Sequence, residues 1–309
     1  MKVELKGYLY AFLSVLAISN VYIFSKAALN EINIFQFGVL WFGFGLIWIL
    51  IYAKYRDCYR IIRELLVSQF FKLTQMGLFE VFGTYFFYKA INTISSPSTV
   101  SFLGNISPII LILLGFIFLK ERFSKLDVLG MILSLFGAVI ISTKGAFNFT
   151  LFIDGVQYIL FSSLIFGVNG ILIKKNISAL PPIVITINRS FFLFVFSLAA
   201  FLYTGQSLDI PNSAILNTFI GSILGPFLAI VLVFFALKYI PVSKKAVISS
   251  TKGVFVVIGA YLYFDEIPDF VTVIGGAISI VGVVIISFGA ENKPKQLEVK
   301  RSVAKFAER

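Results

Sequence analysis

One carboxylate, two cations and three amides stand inside stretches of sequence that are otherwise apolar. Glu80 is the sharpest case. Phe79, Val81 and Phe82 flank it near the middle of the apolar run 70–91, about 15 Å from either end at about 1.5 Å per helical residue. A short side chain at that depth does not reach water easily, and an ionisable group so placed is a functional candidate. Desolvation disfavours the charged form of a carboxyl. A group that takes up a proton in one conformation and releases it in another is what proton coupling needs. The plainer role for Glu80 is that of a static partner to a buried base or hydroxyl.

Lys252 lies at comparable depth in the run 243–263, within Ser249-Ser250-Thr251-Lys252-Gly253. Facing one cavity, Lys252 and Glu80 would pair when it is empty, and a zwitterionic or carboxylate cargo would compete for one of them. The alternative is a lysine that snorkels toward the cytoplasm along its stem. Arg189, preceded by Asn188, stands near the start of the run 181–203. Its guanidinium can clamp a carboxylate or phosphate through two hydrogen bonds, or reach the cytoplasmic interface instead. Asn20, Asn105 and Asn169 can bond substrate or tie helices together, and Asn169 is near enough to a cytoplasmic end for water to satisfy it. Pro108 and Gly225-Pro226 interrupt helical sequence and free backbone carbonyls. They are hinge candidates where such a break faces protein or a wet cavity, and packing kinks otherwise.

The elements that must position these residues are set by composition. The chain has 309 residues, of which 59% are hydrophobic and only 13% charged, with 36 Phe and 13 Tyr. Mean hydropathy is +0.96. A soluble domain carries about 25% charge, and one core of this size could not hide so much apolar surface. Lipid can. Candidate spans, each near the length of about 20 residues that crosses a bilayer as a helix, are 7–25, 34–53, 70–91, 97–119, 126–143, 155–173, 181–203, 213–237, 243–263 and 270–288. Breaks between them carry turn residues: Ser95-Ser96-Pro97, Pro181-Pro182, Asp209-Ile210-Pro211 and Ile267-Pro268-Asp269. The run from Gly7 to Phe24 is longer than a signal-peptide core and reads as an uncleaved first helix.

Orientation follows from the basic residues. With the N-terminus in the cytoplasm, twenty-one Lys and Arg fall in inside segments and three outside, namely Lys26, Lys89 and Lys144. Both termini are therefore expected in the cytoplasm. The same clustering explains the net charge of +11 without any nucleic acid.

The sequence is also written twice. Residues 98–143 align without a gap on 243–288, so that Glu121 falls on Glu266, Gly130 on Gly275 and Gly137 on Gly282. Upstream, Ala90-Ile91-Asn92-Thr93-Ile94 matches Ala236-Leu237-Lys238-Tyr239-Ile240 after a shift of one, which places Pro226 opposite Glu80. Five spans per copy is an odd number, so the halves are inverted in the membrane. The expected organisation is all-α and integral to the membrane: ten transmembrane helices as two inverted five-helix repeats, 1–145 and 146–290, and a basic cytoplasmic tail, 291–309. Substrate sites of such repeat proteins lie near the midplane between the halves, and rocking of one half on the other gives alternating access.

The chain resembles the EamA-type family of the drug/metabolite transporter superfamily. The resemblance is carried by Ser96-Pro97-Ser98-Thr99, Asn105-Ile106-Ser107-Pro108, Leu119-Lys120-Glu121-Arg122, Gly130 and Gly137, and by Asp265-Glu266, Gly275-Gly276 and Gly282. The second half departs from the pattern where Lys252-Gly253 replaces Ser107-Pro108, so equal contributions of the halves to the pocket do not follow. The resemblance implies a central cavity lined by the first four helices of each half, peripheral fifth and tenth helices, and a small organic cargo.

Other function classes fare worse. Histidine is absent, Cys58 is the single cysteine, and no acidic pair sits at helical spacing inside a span. Nothing therefore suggests a metal site, a nucleophile–base set or a cofactor. No phosphate-binding Gly-rich loop points to direct use of ATP. The reading that remains is a multi-pass cell-membrane protein acting as a secondary active transporter. It would export an amino acid, amine or related metabolite, with protons as the first candidate for coupling. A passive channel or facilitator, or a lipid-translocating protein of the same fold, is the alternative. Oligomeric state is not readable, and a homodimer stays open.

Overall fold

Helix is the only spanning option when a segment has no water to satisfy its backbone, and the apolar runs fold accordingly. A computed structural model describes residues 3–55, 67–119, 124–146, 153–176, 180, 182–207, 209–240, 248–249 and 251–291. In chain order the helices are α1 (Val3–Leu29), α2 (Ile34–Tyr55), α3 (Val67–Thr93), α4 (Pro97–Leu103), α5 (Ile106–Leu119), α6 (Lys125–Ser142), α7 (Val156–Asn176), α8 (Pro182–Tyr203), α9 (Asn212–Ser222), a π-helical turn (Ile223–Ala229), α10 (Ile230–Tyr239), α11 (Lys252–Phe264) and α12 (Phe270–Glu291). There is no strand among the described residues. Glu121, with Lys120 and Arg122, lies outside the described residues, as do Cys58, Pro181 and the tail from 292 onward.

Local chemistry sets the starts. Asn33 accepts from the backbone N–H groups of Phe35 and Gln36 at 2.9 and 3.0 Å and opens α2. Ser96 caps α4 ahead of Pro97, whose missing N–H costs nothing in a first turn. Ser124 and Asp127 form a reciprocal capping box at α6.

Six helical stretches among the described residues are long and apolar enough to cross a membrane. The shortfall from the predicted spans has physical causes. The 27-residue α3 carries Lys72, Gln75, Glu80 and Lys89 along its length. The fourth predicted span is broken at Gly104-Asn105 into α4 and α5, while α11 is described only from Lys252. The polarity of the protein is that of a membrane interior. Ile47, Ile51, Leu202 and Ile258 are exposed on the outside of apolar helices, whereas Ser14, Ser19, Ser98, Ser162, Ser190 and Ser222 are buried between them. Small residues at interfaces let helices approach where lipid supplies no hydrophobic drive.

The helix packing is reciprocal about the sequence repeat. α1 packs on α10 and α11, and its counterpart α7 packs on α3 and α5; α2 packs on α8, and α6 on α12. The α6–α12 contact is antiparallel. A Cβ at Gly130 would meet backbone of Gly282 and Ile286, and one at Gly137 would meet backbone of Gly275 and Ser279. Between them Ser134 donates to the carbonyl of Ser279 at 3.1 Å and Ser279 returns the bond to Ser134 at 3.2 Å. Ser134 and Ser279 are repeat mates, Gly130 meets the mate of Gly137, and Gly137 meets the mate of Gly130.

Candidate functional site

The helices line a half-open cavity of about 340 Å³ whose walls come from both halves of the chain. α1 contributes Ile18, Val21 and Tyr22, α2 contributes Trp41, and α3 contributes Thr84, Phe87 and Tyr88. Across from them stand Phe166 of α7, Arg189 of α8 and the stretch from Gly225 to Val233. A volume of this size suits a small organic molecule, and most of the wall is apolar.

Aromatic rings gather at the cavity wall. Phe37 and Tyr88 lie with ring centroids 4.8 Å apart, Phe37 and Trp41 5.0 Å apart, and Tyr22 meets Phe87 edge-on at 5.5 Å. The indole of Trp41 fits because Gly221 of α9 has no side chain; a Cβ there would collide with the ring. The halves are also joined by polar bonds. Asn33 donates to Gln206 at 2.7 Å, and Gln36 donates to the carbonyl of Ser207 at 2.8 Å. Lys26 is buried, its ammonium donating to the carbonyls of Ile91, Asn92 and Ile94 at 3.0, 3.1 and 2.9 Å.

Glu80 is not a lone carboxylate. Arg189 Nε donates to its Oε2 at 2.7 Å, and Asn169 Nδ2 donates to its Oε1 at 3.0 Å. Asn188 donates to the carbonyl of Leu73 at 2.8 Å, tying α8 to α3 one residue before Arg189. The two side chains of the ion pair are 14% and 26% exposed for Glu80 and Arg189 respectively. The sequence offered Lys252 as the partner of Glu80 and an interfacial reach for Arg189. The structure instead spends the arginine on Glu80, while its guanidinium also forms cavity wall. Asn169, expected within reach of water, is 1% exposed.

Lys252 stands apart from this cluster. Its ammonium lies 5.7 Å from the centroid of the Tyr22 ring, and 3.6 Å from where a Cβ on Gly104 would be. Asn105, the next residue, is buried with its Nδ2 unpaired. Asn20 donates to the carbonyl of Leu16 one turn earlier in α1 at 2.8 Å and is not part of the cavity wall. Pro108 falls in the first turn of α5, two residues after that helix begins, so the break itself is at Gly104-Asn105. Gly225 and Pro226 lie in the π-helical turn and form cavity wall, and Pro226 packs where Gly45 of α2 leaves room.

Tyr22, Trp41, Thr84 and Tyr88 escaped the sequence reading. A signal was present: Glu80, Thr84 and Tyr88 repeat every fourth residue and share one face of α3. The hydroxyl of Thr84 is buried and unpaired at the cavity wall. No group of three His, Cys, Asp or Glu is gathered among the described residues.

Comparison with known proteins agrees with the architecture. A sequence model described as the EamA-like transporter family matches residues 5–143 and again 153–288. A relative from Archaeoglobus fulgidus, described as an uncharacterized transporter, is 23% identical over 265 residues, covering 85% of this chain and 79% of its own. A solved crystal structure of a protein superposes with a TM-score of 0.67 at 16% identity, over 92% of this chain and 97% of the other, a likeness of fold.

Proposed function

The chain belongs to the EamA-like transporter family, and from that premise we propose a secondary active transporter that exports a small organic metabolite by alternating access. The observation that carries the reading is the cavity of about 340 Å³ between the halves, with an ion pair at its wall. In this reading ten spans form two inverted repeats, 1–145 and 146–290, with both termini and the tail 291–309 in the cytoplasm. The reciprocal packing of α1 with α10 and α7 with α3, the antiparallel Gly–Ser crossing of α6 and α12, and the two separate family matches support it. Rocking about an axis through Ser134 and Ser279 would exchange the two open states. The π-helical turn at Gly225-Pro226 and the break at Gly104-Asn105 are the places where backbone can bend.

Proton coupling rests on Glu80. Its bond to Arg189 crosses from one half of the chain to the other, so a rocking motion that parts α3 from α8 strips the carboxylate of its cation. In this reading a coupling proton takes the arginine's place while the halves are parted and leaves when the arginine returns.

Untargeted profiling of medium and cytosol tests this, with cells expressing wild type or Glu80→Gln at matched levels. A metabolite accumulating outside only with wild type, and moving saturably against its gradient in vesicles with an imposed pH gradient, is the expected result. Saturable flux indifferent to pH in both proteins removes Glu80 from the coupling. Flux linear in concentration replaces the carrier by a channel. Cys58 supplies a native label for orientation: an impermeant maleimide should reach it only after the cytoplasmic face is opened.

A further inference from the structure

Lys252, next to the cavity-wall residue Tyr22, has no counter-charge among the described residues, and we propose that the cargo is an organic monoanion whose charged group is held by Lys252 and Asn105. This rests on the transporter reading and names its substrate class. Arg189 is neutralised by Glu80 at 2.7 Å. Lys252 has no such partner: among the described residues its ammonium makes no ion pair or hydrogen bond, only the contact with the ring face of Tyr22 at 5.7 Å. The lysine is half-buried, and the backbone carbonyl of the same residue is tied to the hydroxyl of Ser19 at 3.1 Å, which fixes its place against α1. A cation held in the interior of a membrane protein is expensive and normally paired. Lys252 is therefore a cation available to an anion that enters.

The surroundings suit an anion. Asn105 is 4% exposed, and its Nδ2, a donor, has no acceptor. It lies in the break between α4 and α5, so the positive end of the 14-residue α5 begins at the next residue. The Lys252 ammonium lies 3.6 Å from where a Cβ on Gly104 would be, which sets it beside this break. Tyr22 belongs both to this corner and to the cavity wall, so an apolar body in the cavity could carry its anionic group to the lysine. An amine would meet an uncompensated like charge instead. A dianion would need a second free cation, and in this structure Arg189 is paired with Glu80.

The test uses purified full-length protein and three matched probes: phenylacetate, phenylacetamide and phenethylamine. Thermal stabilisation by the carboxylate, and not by the amide or amine, is expected for wild type. Lys252→Met should weaken the carboxylate about 30-fold or more, as loss of one partner of a buried charge pair does, while Lys252→Arg keeps the selectivity. Without any probe, Lys252→Met should melt above wild type, because it removes an unpaired charge; a lysine with a structural role would give the opposite. Equal or stronger stabilisation by the amide or amine overturns the proposal, and so does carboxylate selectivity that survives in Lys252→Met. Flux of the probes in vesicles separates the two readings. Transport of the amine alone leaves the transporter and removes the anion site; selective carboxylate binding without flux leaves the site and removes the transporter.

Discussion

Replacing Arg189 by methionine removes the cation from Glu80 while keeping much of the side chain's bulk. In the wild type the two carboxylate oxygens take one donor each, Arg189 at 2.7 Å and Asn169 at 3.0 Å. A fully buried pair that loses one partner costs about 3–5 kcal/mol, and an exposed pair at most about 1 kcal/mol. With the two side chains 14% and 26% exposed, Arg189→Met should cost about 2–3 kcal/mol. Glu80→Gln keeps an acceptor for the guanidinium but trades a charge-assisted bond for a neutral one, for about 1–2 kcal/mol. The double variant has no stranded charge and should lose only about 1–2 kcal/mol, leaving a coupling of about 2 kcal/mol. Reversible unfolding of all four proteins in mixed micelles of rising SDS content measures that coupling. Single-variant losses that add to within about 0.5 kcal/mol would mean that the two side chains do not interact, and the ion pair would leave both the fold and the mechanism.

Four further outcomes follow from individual contacts. Thr84→Val removes a buried hydroxyl that has no partner; unfolding should show unchanged stability or a gain of about 1 kcal/mol, while flux of the cargo falls if that hydroxyl bonds it. Gly137→Ala puts a methyl against the carbonyl of Gly275 and within 2.8 Å of the Ser279 backbone nitrogen. Since neither can swing aside, α6 and α12 must separate at a cost of about 1–3 kcal/mol, read in the same titration. Lys26→Met gives up three carbonyl bonds of 2.9 to 3.1 Å and should lose about 2–4 kcal/mol; Lys89→Met, whose ammonium lies over the rings of Tyr158 and Tyr85 at 4.8 and 5.7 Å, should lose about 1 kcal/mol or less.

Sequence alone determined the class of molecule, because hydropathy, charge asymmetry and internal repetition are properties of a string. Burial in lipid demands long apolar runs whatever the tertiary arrangement, so α1, α2, α6, α7, α8 and α9 with its continuation lie where the composition put them. The glycines at 130, 137, 275 and 282 were legible as close-packing positions for the same reason. Depth along a helix was legible too, and it singled out Glu80, Arg189 and Lys252. Their pairing was not. Which residue faces Glu80 depends on the rotation of α8 about its axis and on α8 meeting α3, and a linear spacing constrains neither. Depth alone made Lys252 as good a partner as Arg189; only the packed helices gave the carboxylate to the arginine and left the lysine over Tyr22. The same holds for Thr84 and Tyr88, ordinary interface residues by type, which became cavity wall because α3 turns that face toward the second half of the chain.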